Sequence, residues 1–195
     1  MLEVDDSKLQ NIKIAFNIIN SIKKEALKNK EYCFEKSLEE FALHLSILPS
    51  QMYGCRIENK LSKYLELENS NDKNRGDRVS KNNRYIEIKG SFNSDILNLV
   101  QIRPWQDISE YVIYFWNFDS NFKLKDYYFH LSVKEMNNEL DLLNAGNAHG
   151  TKEANYSNKN KELALHIDKK SKHFLRWIKN YYIDLDTLKS LINDC

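Results

Sequence analysis

Two carboxylates and a lysine form the part of this sequence best suited to chemistry. Glu87 and Lys89 are separated by one residue in a run of β-favouring residues, and Asp77 lies upstream. Because side chains alternate between the faces of a strand, Glu87 and Lys89 are predicted to share one face. Ile86 and Ile88 then point the other way, toward the core, and a helix or a ligand is expected to cover Glu87 and Lys89.

A β-hairpin is predicted to bring these groups together. Residues 77–80, a turn over 81–83 and a strand over 84–89 have the composition of a hairpin. Asp77 then begins the partner strand, near the end of the strand that carries Glu87. Two carboxylates at one end of a hairpin are hard oxygen ligands that suit Mg²⁺. A lysine beside them can hold a water or stabilise charge developing on a phosphate, so the arrangement suits phosphodiester hydrolysis.

The triplet of an acidic residue, any residue and lysine has little specificity by itself, since it occurs four times in the chain. The matches that begin at Asp6 and Glu58 lie in predicted helices, and the match at Asp168 lies at a predicted helix start. Only the match at Glu87 has β-favouring neighbours and an acidic residue in a hairpin partner. The alternative interpretation is a surface strand whose Glu and Lys pair with neighbouring side chains.

At these residues the sequence resembles the PD-(D/E)xK nuclease superfamily, and within it the type II restriction endonucleases. The match consists of Gly76 and Asp77, nine intervening residues, Glu87 and Lys89, followed by the small polar Ser91. Gly76 stands where the family's nominal motif has Pro. The segment 99–106 also looks like restriction-enzyme sequence, and the resemblance extends over roughly residues 50–180.

The resemblance implies roles for individual residues. Asp77 and Glu87 would bind the divalent metal, and Lys89 would assist the attacking water. The family often adds a Glu from the helix before the core; Glu58 is the candidate, and Glu66 and Glu68 compete with it. The implied cofactor is Mg²⁺, with Mn²⁺ as a substitute and Ca²⁺ supporting DNA binding without cleavage.

Hydrophobic periodicity predicts the order of the elements. Helices are expected over 6–29 and 34–48, with a third that Ser50 caps, and a polar loop over 68–76. Further strands are expected over 97–103, 111–116, 127–131 and 163–167, of which 111–116 is apolar enough for the sheet centre. Ser132 is predicted to cap a helix to about residue 143, and two helices over 170–183 and 185–192, the latter capped by Asp184, close the chain.

This order predicts an α/β (α+β) fold built as one domain over 1–195. The resemblance implies a restriction-endonuclease-like mixed central β-sheet flanked by helices. The helical N-terminal part covers 1–67, the catalytic sheet core covers 68–131, and a DNA-contact loop with C-terminal helices covers 132–195.

Several polar residues near loops are candidates for DNA contact. The basic residues Arg75, Arg78, Lys81 and Arg84 are predicted to bind phosphates. Arg103 and Gln106 are of the types that read guanine and adenine. Gln101 is predicted to support either DNA binding or the active site. Ser91 is a candidate because it lies beside the motif. On the loop 144–161, the residues proposed to enter a groove or clasp the backbone are His149, Thr151, Lys152 and Asn155. The alternative for each is an ordinary solvated side chain, and for the loop a surface excursion.

Composition limits the class of protein. The chain has 195 residues, 42% of them hydrophobic, with 2 prolines and 5 glycines, which is typical of a globular domain. A net charge of +1 neither favours nor opposes nucleic acid as a partner. The three scattered cysteines form no metal-binding or disulfide pattern. The acidic start and the lack of a long apolar run predict a cytoplasmic protein without a membrane partner.

The expected function is therefore a Mg²⁺-dependent type II restriction endonuclease that hydrolyses double-stranded DNA. Cleavage of both strands of a palindrome implies a homodimer, and a cognate DNA methyltransferase is expected in the same system but not as a physical partner. Two alternatives stay open. One is a nicking repair or recombination nuclease of the same fold, either MutH-like or a junction resolvase, and the other is a non-enzymatic DNA-binding module.

Overall fold

The computed structural model describes residues 10, 13–14, 16–21, 24, 50–92, 95–118, 124–148 and 162–193. The chain divides into two compact units, Met1–Arg56 and Ile57–Cys195. In the first unit the described residues between 10 and 24 are helical and exposed, in agreement with the predicted helix over 6–29. The predicted helix over 34–48 lies outside the described residues.

The second unit combines helices with two β-sheets. The helices are α1 (Ser50–Leu65, which begins in the first unit), α2 (Val133–Leu142), α3 (Lys172–Tyr181) and α4 (Leu185–Asn193). The strands are β1 (Glu68–Asn69), β2 (Arg78–Val79), β3 (Tyr85–Phe92), β4 (Ile96–Ile102), β5 (Glu110–Phe118), β6 (Leu124–Ser132), β7 (Gly146–Asn147), β8 (Leu163–Asp168) and β9 (Tyr182–Ile183). No helix in the described ranges is long and apolar enough to cross a bilayer.

The larger sheet is mixed, with the strand order β1-β2-β3-β5-β6-β9. Strands β3 and β5 run parallel, and the other neighbouring pairs of this sheet are antiparallel. The smaller sheet has the order β4-β8-β7 and is antiparallel. The predicted mixed α+β class is therefore confirmed.

Strand β5 lies in the interior of the larger sheet, as its apolar sequence predicted. It pairs with β3 on one side and with β6 on the other. Its six consecutive residues 111–116 are all buried, so both of its faces are covered. A strand that has a neighbour on each side and is covered on both faces favours apolar side chains at every position. This explains why polar and apolar residues do not alternate along β5.

The larger hydrophobic core lies on the face of the sheet that carries Glu87 and Lys89. Their register partners in β5, Tyr111 and Ile113, belong to this core together with residues from β4, β6, β8, α2 and α3. Ile86 and Ile88 are buried on the other face, at 0% and 5% exposure, as the alternation predicted. The sequence did not predict that the larger core lies on the Glu87 face, where residues of the smaller sheet belong to it.

Helix α1 covers the opposite face, and a glycine lets it approach β3. A Cβ atom on Gly90 would lie 2.7 Å from Cδ1 and 3.0 Å from Cγ2 of Ile57. Ile57 is only 1% exposed, so its side chain has little room to move. We therefore expect Gly90→Ala to lower the free energy of unfolding by about 1–3 kcal/mol in urea denaturation.

Gly146→Ala is the matched control for this substitution. A Cβ atom at Gly146 would meet no atom within 4 Å, so the change in stability should stay within about 0.5 kcal/mol. Equal stability of the two variants would contradict the close packing of α1 on β3.

The predicted helix caps at two positions are confirmed. Ser132 caps α2 in a capping box: its hydroxyl accepts from the Glu135 backbone N–H, and the Glu135 side chain accepts from the Ser132 backbone. Asp184 precedes α4 and accepts a hydrogen bond of 2.9 Å from the backbone N–H of Thr187. These local bonds satisfy N–H groups that would otherwise lack partners at the start of a helix.

Three short strands occur where the sequence predicted other structure. β1 lies within the predicted polar loop, β7 at the start of the loop 144–161, and β9 at the end of the predicted helix 170–183. Each is only two residues long and pairs with one neighbouring strand. Such pairs depend on a sheet edge being nearby, which local periodicity does not report.

Candidate active site

The hairpin brings Asp77 close to Glu87. Strands β2 and β3 pair Arg78 with Ile86 and Val79 with Tyr85. Asp77 directly precedes β2, and its backbone N–H donates to the carbonyl of Ile86 at 3.2 Å. The Asp77 carboxyl acts on the pKa of Glu87 through its charge and through a side-chain hydrogen bond, so the two carboxyl groups lie close together.

The backbone of Gly76 creates the turn that delivers Asp77 to this position. Its φ of 78° and ψ of −172° lie in a region that is essentially restricted to glycine. A Cβ atom there would lie 2.9 Å from Ile108 Cγ2 and 3.1 Å from the carbonyl oxygen of Ile86. Proline, with φ near −65°, does not fit this turn.

Glu87 is fully buried and pairs with Lys89. Its exposure is 0%, and the Lys89 Nζ lies 2.6 Å from Glu87 Oε1. Burial is the largest influence and raises the pKa of Glu87; Lys89 lowers it, and the nearby Asp77 carboxyl raises it. Beyond Lys89 and Asp77, no described group donates a hydrogen bond to either oxygen of Glu87. The carboxylate therefore has unused acceptor capacity in a buried position.

Glu58 of α1 joins this cluster, whereas Glu66 does not. The pKa of Glu58 is raised to about 7: burial is the largest cause, the charges of Asp77 and Glu87 also raise it, and Arg78 and Lys89 lower it. Glu66 is exposed and instead pairs with two surface lysines, Lys81 and Lys189. Glu68 is exposed on β1. Of the three candidates for the additional carboxylate, Glu58 is therefore the one whose pKa the charges of Asp77 and Glu87 raise.

The raised pKa of Glu58 predicts a pH-dependent stability. Between its ordinary value of 4.5 and about 7 the folded protein keeps the Glu58 proton while the unfolded chain releases it. The Glu58 contribution to stability is therefore present below pH 4.5 and is lost as the pH rises to about 7. We expect the difference in unfolding free energy between wild type and Glu58→Gln to fall by on the order of 2 kcal/mol across this window, in urea titrations with EDTA.

Glu66→Gln is the control for this pH series. The hydrogen bonds and charges of Lys189 and Lys81 lower the pKa of Glu66 to about 2. Its contribution is therefore lost only at lower pH, and the difference between wild type and Glu66→Gln should be flat from pH 5 to 8. A flat difference for Glu58→Gln as well would contradict the coupling of Glu58 to the carboxylate pair.

Two of the predicted phosphate-binding residues have internal partners. Arg78 is 8% exposed, and its Nη2 lies 2.7 Å from Glu58 Oε1. Arg84 is half-buried; its Nη2 lies 2.6 Å from Glu110 Oε2, and its Nη1 donates to the carbonyl of Leu191 at 2.8 Å. In this conformation both guanidinium groups hold elements together: Arg78 links β2 to α1, and Arg84 links the hairpin to α4.

The other two predicted phosphate-binding residues are exposed. Lys81 lies in the hairpin turn and forms an ion pair with Glu66. The Arg75 guanidinium lies 5.0 Å from the centre of the Tyr85 ring and 3.3 Å from Asp107. Surface ion pairs contribute little free energy, so both cations remain accessible to a charged ligand.

The predicted base-reading residues lie in and after β4. Gln101 is exposed and has a positive φ of 56°. Arg103 Nε lies 2.8 Å from Glu162 Oε1, and Gln106 is buried with 6% exposure. Of these side chains, Gln101 is the one that faces solvent most freely.

Ser91 and the loop residues complete the predicted set. The Ser91 hydroxyl is buried and accepts a hydrogen bond of 2.9 Å from the backbone N–H of Asn98, which ties β3 to β4. The four loop candidates lie outside the described residues: His149, Thr151, Lys152 and Asn155.

Tyr111 is a neighbour of Glu87 that the local sequence does not indicate. It is the register partner of Glu87 in β5 and is fully buried. Burial raises the pKa of Tyr111, and the negative charge of Glu87 raises it further. Its position in an apolar strand predicted packing alone, because strand pairing, not local sequence, brings it beside Glu87.

Comparisons of the chain with known protein-family models and with curated proteins find no match. Within the described ranges, no three Asp, Glu, His or Cys side chains are grouped so that they could hold a metal ion. The candidate site consists of two neighbouring carboxyl groups, Asp77 and Glu87, a lysine paired with Glu87, and Glu58, whose pKa both carboxyl groups raise.

Proposed function

We propose that this chain is a Mg²⁺-dependent endodeoxyribonuclease of the PD-(D/E)xK type, which acts as a type II restriction endonuclease on double-stranded DNA. One observation carries the proposal. The Asp77 and Glu87 carboxyl groups are close enough to share a side-chain hydrogen bond, and the Lys89 ammonium lies 2.6 Å from Glu87. This set of groups matches what the motif requires for metal-assisted hydrolysis of a phosphodiester.

The donor set fits Mg²⁺ chemically. Both carboxylates supply hard oxygen atoms. Among the described protein groups, only Lys89 and Asp77 donate to the buried Glu87 oxygens, which can therefore accept further ligands. Mg²⁺ commonly binds proteins through one or two carboxylates while it keeps several waters. Asp77 and Glu87 would therefore hold the ion, and Mn²⁺ would substitute for it.

The chain's own groups have distinct tasks in the proposed reaction. When bound, Mg²⁺ would polarise a phosphoryl oxygen and lower the pKa of a water. Lys89 has three N–H donors; one faces Glu87, and the others are available for a water and for negative charge developing on the phosphate. Its side chain is only 15% exposed, so its charge acts in a largely water-excluded position, where electrostatic stabilisation is strong.

The remaining parts of the proposal concern the substrate and the assembly. The exposed Lys81 and Arg75 are the best-placed of the described candidates to meet DNA phosphates. One site cuts one strand, so we propose a homodimer for double-strand cleavage. The family resemblance implies that cleavage leaves 5′-phosphates. A cognate methyltransferase would protect the host DNA.

Digestion of a defined supercoiled plasmid tests this function. We expect fragments with reproducible ends in Mg²⁺ or Mn²⁺, no cleavage in EDTA, and DNA binding without cleavage in Ca²⁺. Nicked circles alone would favour a nicking repair or recombination nuclease over a restriction enzyme. If calorimetry detects binding of neither Mg²⁺ nor Mn²⁺ and the plasmid stays intact, the nuclease proposal is wrong and a DNA-binding module is favoured.

A further inference from the structure

Tyr111 is buried beside Glu87, so it can interact with that side chain but cannot contact DNA. The parallel register of β3 and β5 pairs it with Glu87, so both side chains leave the sheet on the same face. Both residues are 0% exposed. The Tyr111 ring belongs to the main hydrophobic core, which holds the side chain in place.

The hydroxyl of Tyr111 has no hydrogen-bond partner among the described protein groups. A buried phenol needs an acceptor, since leaving its donor unused is unfavourable. The charge of Glu87 acts on this hydroxyl, and both Glu87 oxygens have acceptor capacity to spare. Lys89 lies against Oε1, and Asp77 is a second side chain hydrogen-bonded to Glu87. A carboxylate has about four acceptor sites, so it can accept from a further donor.

We propose that Tyr111 is a positioning residue, whose hydroxyl donates a hydrogen bond to the ionised Glu87 carboxylate, directly or through one buried water, and orients it for a divalent cation. This inference rests on the proposed function, because it assigns Glu87 to the cation. Partners that hydrogen-bond to metal ligands fix their orientation, and losing one commonly lowers metal affinity tenfold or more.

The test compares Tyr111→Phe with Tyr127→Phe. Tyr127 pairs with Phe115 in the β5–β6 register and stacks on that ring, so it lies on the same face but away from Glu87. Mg²⁺ titrations by calorimetry should give a dissociation constant roughly tenfold higher for Tyr111→Phe and unchanged for Tyr127→Phe. Cleavage by Tyr111→Phe should recover toward the wild-type rate at saturating Mg²⁺, and both variants should unfold like wild type in EDTA.

A second measurement does not depend on the nuclease proposal. The Raman doublet of tyrosine reports whether the phenol donates a hydrogen bond, and the difference spectrum between wild type and Tyr111→Phe isolates Tyr111 in EDTA at alkaline pH. A donor spectrum that is lost in Glu87→Ala, which removes both acceptor oxygens, supports the positioning role even if wild type binds no Mg²⁺, in which case the proposed function alone fails. Unchanged Mg²⁺ affinity in Tyr111→Phe, or a spectrum without donation, would overturn the inference.

Discussion

Lys89→Ala is expected to lower the rate of Mg²⁺-dependent plasmid cleavage by about 10²–10³-fold. The ammonium is the cationic group that lies 2.6 Å from Glu87, and alanine removes every donor that could meet the water or the phosphate. Binding of DNA in Ca²⁺ should change little, because the proposed phosphate contacts lie elsewhere in the hairpin. Asp77→Ala and Glu87→Ala should abolish cleavage, since each removes one of two proposed metal ligands.

Lys170→Ala is the matched control, because Asp168 and Lys170 form the same acidic-x-lysine triplet. Lys170 is exposed beside the end of β8, and its backbone N–H donates to Asp168 at 2.7 Å in a local turn. Its removal should leave the cleavage rate unchanged. Cleavage by Lys89→Ala at the wild-type rate would refute the assignment. Urea denaturation of each variant separates a loss of chemistry from a loss of fold.

Glu139→Ala is expected to lower the free energy of unfolding by about 3 kcal/mol. Glu139 of α2 is only 3% exposed. Its oxygens accept from Trp177 Nε1 and Tyr181 Oη at 2.8 Å each, and from Arg176. Alanine would leave three hydrogen-bond donors of α3, one of them charged, without their acceptor. It would also remove the contact that holds the two helices together.

Glu139→Gln and Asp141→Ala bracket this prediction. Glutamine keeps one oxygen acceptor, so its cost should fall between those of the other two variants. Asp141 is exposed on the same helix, and its replacement should stay within about 0.5 kcal/mol. Equal denaturation midpoints for Glu139→Ala and Asp141→Ala would show that the buried carboxylate does not hold α2 and α3 together.

The hairpin that carries Asp77, Glu87 and Lys89 could be predicted because its determinants are local. The residues of 77–89 combine β-favouring side chains with a polar turn, and an antiparallel pair joined by a short turn has few possible registers. The helix caps at Ser132 and Asp184 are local in the same sense, since each side chain bonds a backbone N–H three residues away.

The environment of each charged group could not be predicted in this way. Arg78 and Lys81 are both basic residues of one hairpin, yet Arg78 is buried against Glu58 while Lys81 is exposed. The packing of α1 on the sheet decides which of these two basic side chains is buried. Alternation along β3 separated its two faces correctly, but the larger core lies on the face with the charged residues.

By itself, the sequence determined a mixed α+β chain with Asp77, Glu87 and Lys89 close together, because nearest-neighbour geometry is enough to place residues within one hairpin. Only the tertiary structure decided that Glu58, rather than Glu66 or Glu68, joins the two carboxylates, and that Tyr111 lies beside Glu87. Both depend on contacts between elements far apart in the chain. Such contacts arise from the burial of whole faces, which no short segment encodes.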